Sequence, residues 1–159
     1  MTEINREILP YRKCVGIMLL NAEKKVFVGQ RIDNKSDAWQ MPQGGVEEGE
    51  NLLDASLREL EEEIGTNNVK ILEQAKQWYD YDIPDFLIPK FWGGKYRGQT
   101  QMWFLAEFLG SDSEVNINTH HPEFSRWKWA SAEELPNIIV PFKRELYKKL
   151  VEEFDIFLN

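Results

Sequence analysis

Apolar residues recur along the chain in short runs whose period changes with position. CVGIMLL (14–20) and KVFVGQR (25–31) are rich in apolar and β-branched residues and read as two strands, with NAEK between them as a hairpin turn. WQMPQGG (39–45) continues a sheet until its glycines break it. VKILEQAKQWYDYDI (69–83) reads as one or two strands ending at Pro84, QMWFLAEFL (101–109) as a central strand, and RWKWA (126–130) as a further one. Two segments follow the helical period instead. Leu53, Leu57, Leu60 and Ile64 form one stripe, and Phe142, Leu146, Leu150, Val151 and Phe154 form another. Ser131 with Glu134 three residues on predicts a capping box for a short helix, and Pro141 suits the first turn of the last helix. Strands come first, with one helix between them and one at the end, which predicts an α+β domain.

The first helical segment carries more than its apolar stripe. In GGVEEGENLLDASLRELEEEIGT (44–66) each helical residue turns by about 100°, which puts Glu63 roughly 40° and Glu62 roughly 60° from Glu59. The three carboxylates therefore share one face, and Glu61 points away from them. Leu53, Leu57, Leu60 and Ile64 fall on another face that can dock on a sheet. Gly65 is a natural stop, and Gly44, Gly45 and Gly49 give a loop that can approach a ligand closely. Like charges at this spacing repel by a few tenths of a kcal/mol per pair. Either the face is solvated, or something cationic sits there.

Composition narrows the choice. A chain of 159 residues with 42% hydrophobic and 13% aromatic content forms one domain, 1–159, with a sizeable core. A net charge of −8 argues against a DNA-coating or membrane-binding surface, so an anionic partner must be met by local basic residues or by bound metal. Cys14 is alone, which excludes an internal disulfide and a multi-cysteine metal site. MTEINREILPYRK has no apolar signal region and no apolar run approaches the length of a membrane span, so the chain reads as cytoplasmic.

Gly44, Glu50, Arg58, Glu59, Leu60, Glu62, Glu63 and Gly65 fit the pattern G-x5-E-x7-R-E-U-x-E-E-x-G-U, with Thr66 departing from its aliphatic last position. At residue frequencies of about 5–10%, seven fixed positions coincide by chance on the order of once in 10⁷ registers. The segment thus resembles the Nudix box. That resemblance implies an αβα sandwich around a mixed sheet and hydrolysis of a nucleoside diphosphate linked to another group. It also implies a divalent metal, Mg²⁺ with Mn²⁺ or Zn²⁺ as substitutes, held by Glu59, Glu62 and Glu63. Hard cations prefer carboxylate oxygens, neutralise phosphate charge and acidify bound water. Arg58 is expected to orient a glutamate by a bidentate pair. Which carboxylate activates the water stays open.

YRKCVGIML (11–19), AWQMPQGG (38–45), KYRGQTQMWF (95–104), PEFSRWKW (122–129) and VPFKRELY (140–147) further resemble bacterial RNA pyrophosphohydrolases and the similar dinucleoside polyphosphate hydrolases. The resemblance adds Glu123 and Gly44 to the metal set. It implies Arg12, Arg31, Gln43, Phe142 and Lys143 as substrate contacts, with Gln99 as a further candidate. Phe142 equally fits the apolar face of the last helix, whereas Trp39, Trp103, Trp127 and Trp129 read as core. His120 and His121 fall outside the pattern and read as solvated. Thr100 and Met102 stand where RNA-processing members often carry lysines, which tilts the balance slightly toward a small dinucleotide, while Lys90, Lys95 and Arg97 upstream tilt it back. The leading expectation is removal of pyrophosphate from 5′-triphosphorylated RNA by a monomer. The alternative is cleavage of diadenosine tetra- or pentaphosphate to ATP and a smaller nucleotide. A non-catalytic sensor ranks below both, because Glu50, Glu59, Glu62 and Glu63 are all present.

Overall fold

The first apolar run sets the layering. In the computed structural model, which describes residues 5–33 and 37–159, it lies within β1 (Tyr11–Leu20). Met1 to Ile4, part of the start read above for a signal, lie outside the described residues. Successive side chains of a strand point to opposite faces. Ile17 and Leu19 accordingly join one apolar cluster and Met18 and Leu20 another. A strand apolar on both faces has to be covered on both.

β2 (Val26–Arg31) follows through a turn in which the Asn21 carboxamide oxygen accepts from the backbone N–H groups of Glu23 and Lys25, each at 3.0 Å. Then come β3 (Gln43–Gly45), α1 (Leu52–Ile64), β4 (Val69–Gln74), β5 (Tyr79–Asp82), β6 (Gly98–Phe108) and β7 (Phe124–Ala130), so residues 69–83 supply two strands. The chain ends in α2 (Leu135–Ile138), α3 (Arg144–Glu153) and α4 (Asp155–Leu158). The strands form one mixed sheet in the order β4-β6-β1-β2-β7, with β3 also on β1 and β5 also on β6. β1 and β6 run parallel at its centre. Leu60 and Ile64 of α1 cover one face over Ile17, Leu19 and Phe108, while Leu146, Tyr147 and Leu150 of α3 cover the other over Met18, Leu20 and Trp103. The result is the αβα sandwich the sequence led us to expect.

One register matters for the site. Gly16 of β1 stands opposite Gln43 of β3 and opposite Trp103 of β6. A Cβ at Gly16 would overlap the Trp103 ring, so glycine here lets the indole lie flat across β1.

Three local expectations need correction. The glycines of 39–45 do not break the sheet, because Gly44 and Gly45 lie in β3 opposite Val15 and Cys14, where a residue without a side chain can approach the neighbouring groups closely. Ser131 does not cap its helix. The first turn is a 3-10 turn (Ala132–Glu134) in which the Glu134 N–H bonds the Ser131 carbonyl at 3.2 Å, leaving the hydroxyl to donate to the Glu134 carboxylate at 3.4 Å. The α1 stripe is also rotated. Leu53 is 38% exposed, whereas Ala55, Ser56 and Glu63 are buried with Leu60 and Ile64. The wheel assumed one docking surface, but the loop carrying β3 packs against a second side of the helix. Pro141 opens a 3-10 turn (Pro141–Lys143) that leads directly into α3.

Candidate active site

α1 is fixed at both ends before its charged face is considered. The Asn51 side chain accepts from the N–H groups of Leu53 and Asp54, and Gly65 closes the helix in the left-handed region at φ 78°. Arg58 then ties the glycine loop to the helix. Its guanidinium donates to Glu50 through two bonds of 2.8 and 2.9 Å, to the Gly45 carbonyl at 2.9 Å and to Glu59 at 2.9 Å. The expected bidentate partner is therefore Glu50, whose carboxyl this pairing holds down to about 2. Saturated in this way, Arg58 acts as a latch on the loop.

The carboxylates gather where the latch holds the loop. Glu63 is only 3% exposed and accepts from the Gln43 backbone N–H at 3.1 Å. Burial first, then the charges of Glu59 and Glu123, push its carboxyl well above the ordinary range. Burial likewise pushes Glu59 up to about 6, against the pull of Arg58. Glu62 is more open and Glu123 arrives from the loop before β7, within 3.8 Å of Arg31. Gly44 lies so close to Glu59 that a Cβ there would overlap the carboxylate. Four carboxyl groups against a backbone with no room for a side chain form a hard-oxygen set suited to a divalent cation. The arrangement is open, since no three of the described His, Cys, Asp or Glu side chains already close round one point.

A cleft of about 550 Å³ opens beside this cluster and shares Gly44, Glu59, Glu62 and Glu123 with it. Arg12, Arg31, Gln43, Gln99, Phe142 and Lys143 all line it, so the structure brings the expected contacts to one place. Phe142 fills both of its readings, because it packs against the α3-side core and also faces the cleft 6.1 Å from Tyr81. Lys143 is 6% exposed, and burial pulls its ammonium down to about 7. Arg31 forms a two-bond pair with Asp33 at 2.8 and 2.6 Å. Trp103 is wholly buried, while Trp39 is half-buried against the α3-side core and Trp127 and Trp129 are half-buried against the α1-side core.

Tyr81, Trp92 and Asp33 also line the cleft and escaped the sequence reading. Trp92 faces Arg12 at 5.5 Å and begins three consecutive residues with positive φ, Trp92, Gly93 and Gly94. The WGG run was the available signal. Thr100 and Met102 do not line the cleft: Thr100 is bonded to Asp80 and Met102 is buried. Arg97 is held by Asp82 at 2.7 Å. None of the three weighs on what the cleft accepts. His120 and His121 sit with Thr119 in a groove of about 730 Å³ on the other side of the carboxylates, where the Thr119 hydroxyl is buried with no hydrogen-bond partner among the described residues.

The pattern of the NUDIX domain matches residues 10–150. An RNA pyrophosphohydrolase of Rickettsia bellii is 56% identical over 151 residues, covering 95% of this chain and 94% of its own. An RNA pyrophosphohydrolase of Rickettsia rickettsii is 55% identical over the same extent. Among solved structures, the dihydroneopterin triphosphate pyrophosphohydrolase of E. coli superposes with a TM-score of 0.67 at 22% identity, covering 89% of this chain and 97% of its own. An Ap4A hydrolase of C. elegans does so with a TM-score of 0.67 at 23% identity, covering 92% and 97%. At such identities these two likenesses speak for the fold alone. Among the described residues, no helix is long and apolar enough to cross a membrane.

Proposed function

The chain belongs to the NUDIX domain family of hydrolases, and from that premise we propose that it removes pyrophosphate from the 5′ end of triphosphorylated RNA, leaving a 5′-monophosphate. The observation that carries the substrate is the likeness to the rickettsial RNA pyrophosphohydrolases, which runs nearly the full length of both chains. Transcript ends are made and degraded in the cytoplasm, and we place the activity there. Residues 1–159 act as one domain.

In this proposal Glu59, Glu62, Glu63 and Glu123, with the Gly44 backbone, hold a divalent metal, Mg²⁺ first. When bound, such an ion neutralises phosphate oxygens and acidifies water. The chain's own residues do the rest. Arg58 keeps Glu59 and the loop carbonyl of Gly45 in place. Burial disfavours a charged Glu63 and makes it hold a proton more readily than an exposed carboxyl does. Arg12, Arg31 and Lys143 supply positive charge opposite the phosphates. Phe142 and Tyr81 offer an aromatic wall on which a base can stack, worth roughly 1–3 kcal/mol with little sequence preference.

The test is to offer 5′-triphosphorylated RNA and diadenosine tetraphosphate to the enzyme side by side with Mg²⁺. A higher kcat/KM for the RNA, with pyrophosphate released, supports the proposal. A large preference for the dinucleotide overturns the substrate while leaving the hydrolase chemistry standing. No turnover of either substrate, with Mg²⁺ or Mn²⁺, points to a sensor.

A further inference from the structure

A chain of side-chain hydrogen bonds runs from the core to the floor of the cleft. Trp103 donates its indole N–H to Gln101 Oε1 at 2.9 Å. An indole nitrogen is only a donor, so the Gln101 oxygen must face it and Gln101 Nε2 must point the other way. Both of those N–H groups are taken, by Gln99 Oε1 at 2.7 Å and by Gln43 Oε1 at 2.7 Å. The Tyr81 hydroxyl donates to the same Gln99 oxygen at 2.9 Å. With both oxygens turned inward, Nε2 of Gln43 and Nε2 of Gln99 are left for the cleft that these residues line. Neither meets an acceptor among the described residues, although Gln99 is 2% exposed. The Lys143 ammonium is in the same position, resting over the Tyr81 ring at 5.2 Å. Among the described residues the Thr119 hydroxyl is the only buried side-chain polar atom without a partner, so these three donors reach the open cleft, where a ligand that brings acceptors can satisfy them.

We propose that Gln101 and Trp103, neither of which lines the cleft, are positioning residues that set the polarity of its floor. The one fixed donor, the Trp103 N–H, orients Gln101, and Gln101 orients Gln43 and Gln99. The floor then presents donors to the acceptor groups of the bound nucleotide. A terminal carboxamide turns easily about its last torsion. Without the relay, Gln43 and Gln99 would offer oxygens as readily as N–H groups, and an oxygen facing another oxygen repels it. The register that places Gly16 between Gln43 and Trp103 is what lets the relay cross β1. This inference rests on the reading of the cleft as a nucleotide site.

Gln101→Glu is the informative change. It keeps the size of the side chain, and its oxygens can accept from Trp103 and from both neighbouring amides. Those amides must then turn Nε2 inward and Oε1 toward the cleft, so the floor reverses polarity while the bonds to residue 101 survive. The Tyr81 hydroxyl then has to accept from Gln99 instead of donating to it. Trp103→Phe keeps a ring but deletes the N–H that sets the direction. The assay uses whichever of triphosphorylated RNA and diadenosine tetraphosphate the wild type turns over. A failure of the functional reading then shows in the wild type, and a failure of the relay only in the variants. The expected result is a KM raised by about tenfold or more in Gln101→Glu and by a smaller factor in Trp103→Phe, with kcat at saturation nearly kept. Loss of packing alone would lower the melting temperature and kcat without singling out KM. Tripolyphosphate as a competitor distinguishes the acceptors: a parallel loss of its inhibition assigns the floor to phosphate oxygens, and unchanged inhibition assigns it to the base. An unchanged KM in either variant, folded by its melting curve, overturns the proposal.

Discussion

Gly44 and Glu59 are packed so closely that a Cβ on the glycine would overlap the glutamate's carboxylate. The glycine is not in the left-handed region, so its backbone would tolerate alanine and the conflict is purely steric. Gly44→Ala therefore displaces Glu59, or the loop from α1. Overpacking of this kind costs about 1–3 kcal/mol. Displacing a metal-holding group costs about 10–100-fold in metal affinity or activity. We expect a folded, slightly less stable protein whose activity recovers in part at high Mg²⁺. Full activity at low Mg²⁺ would show that Glu59 does not need its present position.

Arg58 and Glu50 make the second prediction. Lysine keeps the charge but cannot reach Glu50, Gly45 and Glu59 at once with a planar fork. Arg58→Lys should cost about 1–3 kcal/mol of stability. It should also lower activity by about 10–100-fold through the loosened loop. Because one network is broken either way, adding Glu50→Gln should cost far less than the two single losses summed. Additive losses in melting temperature would mean that the latch does not act as a unit.

The buried acids predict an unusual pH dependence for the metal-free protein. A carboxylate whose folded pKa lies above its unfolded value holds its proton longer in the folded state, so stability is highest at low pH and falls as pH rises. For Glu59 that fall runs from about 4.5 to about 6, and for Glu63 it extends further upward. A shift of that size in Glu59 amounts to on the order of 2 kcal/mol. Melting curves between pH 5 and 7.5 should show the decline in the wild type and a flatter line in Glu63→Gln, with Mg²⁺ restoring the wild type most at the upper end. Parallel curves for the two proteins would refute this account.

How much of this could be read from the chain follows from what each feature depends on. Glu59, Glu62 and Glu63 were legible because helical spacing turns directly into a shared face. The burial of Glu63 was not, because it comes from Gln43 on a separate strand donating to its carboxylate. Leu53 misled for the same reason, since the helix docks on a loop as well as on a sheet. Arg12, Arg31, Phe142 and Lys143 were found through resemblance, and only the sheet brings them together. The relay through Gln43, Gln99, Gln101 and Trp103 needs the register of β3, β1 and β6, which local pattern does not specify. β1, β2 and β6 were clear, because runs of Val, Ile, Leu and Phe announce a two-sided sheet without reference to their partners. β3 was not, since its QGG pairs with β1 without an apolar run of its own.

The last prediction concerns the reason for so many acids on one helix. If the cluster serves metal, removing one charge should abolish catalysis while leaving the fold intact. Glutamine keeps the size and helix propensity of glutamate. Glu59→Gln, Glu62→Gln and Glu63→Gln should each match or exceed the wild type in metal-free stability, since like charges no longer repel. Glu63→Gln should gain most, because it replaces a buried acid by a neutral group that can still accept from the Gln43 N–H. Turnover should nevertheless fall by about 10²-fold or more in at least two of the three, as a weakened ion no longer neutralises developing phosphate charge. Glu61 is the control from the same helix. It is exposed, and among the described residues its side chain is bonded by Asn67 alone, at 3.0 Å, so Glu61→Gln should be nearly silent in both assays. Melting temperature without metal is set against turnover with Mg²⁺ for all four variants. If Glu61→Gln proved as inactive as the others, or if all four kept full activity, the helix would be no more than a charged surface.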